Sequence, residues 1–216
     1  MGEYISAFVD AMAWTNDHSD KRWNYPLLID PSKKFDMDTI TERIADEFSE
    51  IIPHSDVLPG RCFRVARRLS YHLIKLQIKH TVTIGDIKLD SGWYVSTSRK
   101  KIKNELEAGY QFSINDGGLL IGRPIDAHAW ITLENGQILD ATILPLHHRE
   151  NKPAAEPLSF KESIYYHGKE NTPTIKHIPL MTGFGYHAMV LMHPKDGYYK
   201  NNVQWVKDYF NVINQI

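Results

Sequence analysis

Apolar residues recur along this chain with two periods, and the change from one to the other divides it. Residues 3–13 read as a short helix, and a polar, turn-rich stretch with Pro26 and Pro31 follows over 16–34. In the next helix Ile40, Ile44, Phe48 and Ile51 share one face, Asp36 or Asp38 can cap the start, and Pro53 ends it. A third stripe, Val65, Ala66, Leu69, Leu73 and Leu76, follows the turn dipeptide Pro59-Gly60 and predicts a helix from Cys62 to about Gln77. Beyond it the spacing becomes strand-like. Residues 78–89 alternate through Val82 and Ile84, 92–96 can form another strand, and 127–133 and 137–144 form two more around Asn135-Gly136.

The remaining segments are less regular. Over 97–118, Arg99, Lys100, Lys101 and Lys103 precede Glu105 and Glu107, which predicts a short solvated helix or loop before a turn at Asn115-Asp116-Gly117-Gly118. Residues 147–183, with Pro153, Pro157, Pro173 and Pro179, read as a long irregular connection with a short helix near Phe160. Residues 186–192 read as a strand. A terminal amphipathic helix over 202–216 carries Val203, Val206, Phe210 and Ile213 on one side. Helices first and strands later predict an α+β fold. No internal repeat is present. One domain over 1–216 is expected: a helical part at 1–57, a core carrying the chemistry at 58–145, and 146–216 completing the sheet and adding the last helix.

Composition narrows the function classes. The 216 residues are 42% hydrophobic and 24% charged, with a formal net charge of -1, so no bulk charge points to nucleic acid or an anionic membrane as partner. No apolar run approaches the roughly 20 residues of a bilayer span. The first 14 residues contain Glu3 and Asp10 and no basic region, unlike a secretory signal. A single cysteine cannot form an intrachain disulfide and fits a reducing compartment, most simply the cytoplasm.

That cysteine, Cys62, stands where a helix should begin. A thiol in the first helical turn meets the positive end of the macrodipole, which favours thiolate, and Arg61 and Arg64 add positive potential. Further on lie His128, within Asp126-Ala127-His128-Ala129-Trp130, and Asp140. Thiol, imidazole and carboxylate are the parts of an acyl-transfer site in which a base activates the nucleophile and a carboxylate orients the base. The hairpin between them makes the idea geometric. A two-residue Asn135-Gly136 loop would set Asp140 on the face away from His128. A three-residue loop, Glu134-Asn135-Gly136 with Gly136 left-handed, pairs Leu133 with Gln137 and puts Asp140 opposite Trp130, on His128's face and diagonal to it. Diagonal neighbours are roughly 7–8 Å apart at the backbone, within side-chain reach. The three-residue loop is the expectation.

These residues resemble the transglutaminase-like superfamily of the papain-like fold. The pattern of Gly-x-Cys with a following helical alanine, His-x-Trp on a strand, a glycine turn and Leu-Asp-x-Thr is matched by Gly60-Arg61-Cys62, Ala66, His128-Ala129-Trp130, Gly136 and Leu139-Asp140-Ala141-Thr142. Bacterial members with His-Ala-Trp, including the lasso-peptide maturation protease group, are the most similar in flavour. The likeness covers about residues 58–145. Arg61 and Phe63 depart from it, since members often carry Gln or a small residue before the cysteine and Trp after it. The long stretch from Cys62 to His128 makes 97–118 an insertion over the cleft. The resemblance implies a cysteine helix packed on an antiparallel sheet that carries the histidine and aspartate. It also implies attack on a peptide or carboxamide carbonyl through a thioester, hydrolysis ahead of transfer to an amine, and no cofactor. A binding module of the same fold without catalysis is the other class of reading. The Cys62 amide would be one oxyanion donor. His54, Trp23 and Asn24 are candidates for a second, and Trp130 is a candidate substrate contact.

Other groups carry less. His187, in Gly185-Tyr186-His187-Ala188, is a core sheet residue or a rival base. His147-His148 and His193 lack zinc-ligand spacing. The basic run 99–103 reads as a solvated face. Gly117-Gly118 and Gly183-Phe184-Gly185 do not lead from a strand into a helix, as a phosphate loop would.

Overall fold

The computed structural model describes residues 2–19, 26–108, 112–114, 120–122, 126–187 and 198–213, with the backbone alone at 112–114, 120–122, 198–203 and 213. In chain order the elements are α1 (Gly2–His18), α2 (Met37–Ile51), a 3-10 turn (Ser55–Val57), α3 (Cys62–Lys75), β1 (His80–Leu89), β2 (Gly92–Trp93), α4 (Arg99–Ala108), β3 (Phe112–Ile114) and β4 (Leu120–Gly122). They continue with β5 (His128–Leu133), β6 (Ile138–Leu139), α5 (Ile143–Asn151), α6 (Phe160–Ser163), β7 (Lys176–Thr182) and α7 (Tyr198–Ile213). The class is α+β, as the order of periods predicts. None of the described helices is long and apolar enough to cross a membrane.

β1 is the centre of an antiparallel sheet. Thr83 pairs with Trp130 of β5 on one edge and Thr182 of β7 on the other; β2 returns on β1, and β6 lies outside β5. β3 and β4, between α4 and β5 in the chain, form a separate two-stranded ribbon. The pleat sorts β5 into two faces. Ala129, Ile131 and Leu133 join Val82 and Ile84 in one core cluster with Val65, Ala66, Leu69 and Leu73 of α3. Trp130, between them in sequence, belongs to a second cluster with Tyr4 and Phe8 of α1. Tyr4 ties α1 to that face, its hydroxyl 2.6 Å from Thr132 Oγ1.

Local chemistry explains the helix starts. Asp36 is the N-cap of α2, accepting from Thr39 N at 3.0 Å. Ahead of α3, Arg61 N donates to Leu58 O at 3.1 Å across a turn with Pro59 second and Gly60 third, at φ 76°. A type II turn needs a positive φ at its third residue, and proline suits its second.

Several predicted elements change. α1 runs on to His18. The 92–96 strand shrinks to Gly92–Trp93, and the strand after Gly136 ends at Leu139 plus a bridge from Asp140 to Tyr165. Ile143–Asn151 is helical, with Pro145 in its first turn, where the missing N–H costs nothing. The irregular 147–183 connection contains β7. Pro179 argued against a strand there, but it lies on an edge strand beside a register shift, where proline is tolerated. Residues 185–187 are helical rather than extended. The rest of that predicted strand, the 115–118 turn and His193 lie outside the described residues.

Gly85 deserves its place opposite His128. A Cβ there would collide with the Ile178 carbonyl oxygen of β7 and lie 2.8 Å from the Trp130 ring. Only glycine lets the indole and β7 close on β1 at this point.

Candidate active site

The loop between β5 and β6 has three residues. Gly136 N donates to Leu133 O, and Leu133 N to Gln137 O, both at 2.8 Å, with Gly136 at φ 84°. Ile131 pairs with Leu139 and Thr132 with Ile138, which puts Trp130 opposite Asp140. His128 and Asp140 therefore share a face. His128 Nε2 lies 2.6 Å from Asp140 Oδ2, and both side chains are 1% exposed.

Asp140 is saturated with donors. Its Oδ1 accepts from Thr142 N at 2.9 Å, Thr142 Oγ1 at 2.8 Å and Ile143 N at 3.3 Å. Its Oδ2 takes His128 and also His177 Nε2, at 3.1 Å. The backbone of Asp140 is fixed by its bridge to Tyr165, through bonds of 3.1 and 2.7 Å. Burial penalises the carboxylate, but His128's charge and hydrogen bond and those of His177 outweigh it and hold Asp140 well below the ordinary carboxylate range. An ionised carboxylate can only accept, so both Nε2 atoms carry hydrogen.

His128 Nδ1 is buried with no nitrogen or oxygen partner, which leaves it for the thiol. Cys62 opens α3 and His128 opens β5, so their side chains meet at the end of the sheet although α3 lies on its other face. Burial opposes a charged His128, yet the Asp140 and Cys62 charges, with a side-chain hydrogen bond donated to each, push its pKa above the ordinary imidazole range. Cys62 itself is 8% exposed.

Two residues here carried no sequence signal strong enough to single them out. His177 sits on β7, wholly buried, stacked on Tyr165 at 4.9 Å and edge-on to Trp130 at 5.0 Å. Burial first, then His128's charge, lowers its pKa despite the pull of Asp140, so it is a neutral ring donating to the carboxylate. An alternating Lys176-His177-Ile178 before Pro179 was the only available hint. Tyr94, half-buried, meets His128 edge-on at 5.4 Å and 81°. Nothing in its spacing distinguishes it.

The other sequence candidates separate. Trp130 is fully buried beneath the site, stacked on His128 at 5.8 Å, and its single N–H donates to Tyr4 Oη at 2.8 Å. It has no face for substrate and no free donor, which corrects its assignment as a substrate contact. His54 is exposed at the start of the 3-10 turn, with no hydrogen bond to Cys62, His128 or Asp140. Trp23 and Asn24 lie outside the described residues. His187 bonds the Phe63 carbonyl through Nε2 at 3.0 Å, and burial drives its pKa to about 3. It contacts Phe63 and Trp205 rather than Asp140 and does not act as the rival base. His147 and His148 lie on α5, and among the described residues no group of three or more His, Cys, Asp or Glu is arranged to hold a metal. Compared with protein-family models, curated proteins and solved structures, the chain matches none.

Proposed function

We propose that this chain is a cysteine hydrolase of papain-like, transglutaminase-like architecture that cleaves a peptide or carboxamide bond in a peptide or protein substrate. One observation carries the reading: a buried histidine has one nitrogen on a buried carboxylate at 2.6 Å and the other left to the chain's single thiol. A core histidine needs no ionised partner, and a structural cysteine needs no imidazole.

The roles follow from that arrangement. Cys62, as thiolate, attacks the carbonyl carbon. His128, kept protonated by Asp140, gives its proton to the departing nitrogen as the C–N bond breaks and the thioester forms. Neutral His128 then takes a proton from water, whose oxygen attacks the thioester and frees Cys62. Asp140 orients the ring and supports its charge, and His177 holds the carboxylate for that task.

Iodoacetamide at neutral pH tests the nucleophile. Cys62 should be alkylated faster in the folded chain than in the same chain unfolded in urea, despite its burial. A folded-state rate no faster than the unfolded one, or a Cys62→Ala variant with full biological activity, would sink the enzyme reading and favour a binding module. Partition of an acetyl-enzyme between water and an added primary amine separates hydrolase from acyltransferase.

A further inference from the structure

This inference rests on the reading of Cys62 as a nucleophile at a carbonyl. Attack turns the carbonyl oxygen into an oxyanion, which needs donors already in place. The Cys62 backbone N–H, unpartnered by helix geometry in the first turn of α3, is one. Among the described residues the expected candidates do not supply a second: Trp130 is committed to Tyr4, and His54 is exposed with no hydrogen bond to Cys62, His128 or Asp140.

Tyr94 borders the site. Its ring rests edge-on to His128 at 5.4 Å, and the charges of Cys62 and Asp140 both bear on its hydroxyl. The segment carrying it is held far more firmly than a short surface connection requires. Tyr94 N donates to Ile87 O at 2.9 Å. Beneath it, the Asp86 side chain, in a residue 1% exposed, gathers three backbone donors: Ile87 N at 2.7 Å and Val95 N at 3.0 Å on Oδ1, and Thr97 N at 2.9 Å on Oδ2. Between the last two, Ser96 is left-handed at φ 59°, a conformation that costs energy for a residue with a side chain. A buried carboxylate and a strained residue together fix the backbone that directly follows the ring.

We propose that the Tyr94 hydroxyl is the second oxyanion donor of the Cys62 site, presented by the loop that Asp86 anchors. As the sulfur–carbon bond forms, the carbonyl π pair moves onto oxygen. Tyr94 O–H and the Cys62 N–H donate to that oxygen without giving up their protons. The pair returns as the bond to the leaving group breaks. Burial, then the charges of Cys62 and Asp140, push the hydroxyl up to about 12, so it remains a donor throughout the working pH range.

Two reagents isolate the effect. p-Nitrophenyl acetate acylates a thiol through a tetrahedral oxyanion; iodoacetamide alkylates it by displacement at carbon, with no oxyanion. Tyr94→Phe should slow acylation of Cys62 about 10²-fold while leaving alkylation within about twofold of the original rate. Asp86→Asn, which loosens the loop but keeps the ring, should slow acylation by a smaller factor. Equal acylation rates before and after Tyr94→Phe would overturn the role of Tyr94 and leave Cys62 as nucleophile. Equal slowing of both reactions would show that Tyr94 only packs against His128, and would also overturn it. An unsubstituted chain neither acylated nor alkylated at Cys62 would bring down the nucleophile reading itself.

Discussion

His80 and His128 stand at opposite ends of one ladder, His80 paired with Leu133 and His128 with Gly85. Both are buried, at 0% and 1% exposure. Their chemistry differs completely. His80 Nδ1 donates to Ile78 O at 2.7 Å, its Nε2 accepts from Ser70 Oγ at 2.7 Å, and Ser70 in turn accepts from Trp205 Nε1 at 2.8 Å. Every proton in that chain has a place only if the ring is neutral, and burial, against the weaker pull of the Ile78 carbonyl, lowers its pKa to about 4. His128 has a carboxylate on one nitrogen and nothing but a thiol for the other. Burial alone makes an inert histidine. A carboxylate partner and a nitrogen facing the thiol are what the proposed acid–base role of His128 requires.

The largest break in this symmetry should come from removing each ring. His128→Ala should slow acylation of Cys62 by p-nitrophenyl acetate about 10³-fold. His80→Gln should leave that rate nearly unchanged and cost about 1–3 kcal/mol in urea unfolding, because Ser70 and Ile78 lose a matched partner. Comparable rate losses in the two variants would erase the distinction.

Acidity provides a second, smaller test. His80 has its pKa lowered by folding, so its stability contribution is complete above the unfolded value near 6.5 and shrinks as pH falls through it towards 4. By pH 5 that loss is about 2 kcal/mol. His187, lowered to about 3, adds a loss of the same sign. His128 is raised, so its contribution is complete below about 6.5 and fades only as pH climbs above neutrality. Urea midpoints should therefore fall between pH 7.5 and pH 5. His80→Gln should reduce that fall, and an unchanged pH dependence in the variant would contradict a neutral His80.

The smallest expected effect is at His177. His177→Phe keeps the ring packing against Tyr165 and Trp130 but leaves Asp140 Oδ2 with one donor. It should cost about 1–2 kcal/mol. His177→Gln, which can still donate, should recover part of it; no recovery would show that packing, not the hydrogen bond, is what His177 supplies.

Much of this was legible in the chain because local rules decide it. The α3 stripe follows from spacing, and one glycine at Gly136 decided whether His128 and Asp140 could meet. What stayed hidden depends on long-range contacts. His177 lies 37 residues beyond Asp140, on a strand that Pro179 disguised. Tyr94 is placed by the buried Asp86, whose partners are backbone amides with no sequence signature. Ile143-Leu144 looked like a continuing strand, although Pro145 already marked a first helical turn. Trp130 read as a substrate contact beside the histidine, and only the far-off Tyr4 shows that it is core.

Gly85 decides more than the closeness of two strands. β7, β1, β5 and β6 lie in that order, so in a flat sheet His177 and Asp140 would hang from strands three spacings apart, about 14 Å before any offset along the strands. They touch at 3.1 Å. Gly85, beside the register shift against β7, leaves the room in which β7 and the Trp130 ring both close on β1. The space of one absent side chain thus lies at the junction of the two strands, β5 and β7, whose histidines share a single carboxylate oxygen.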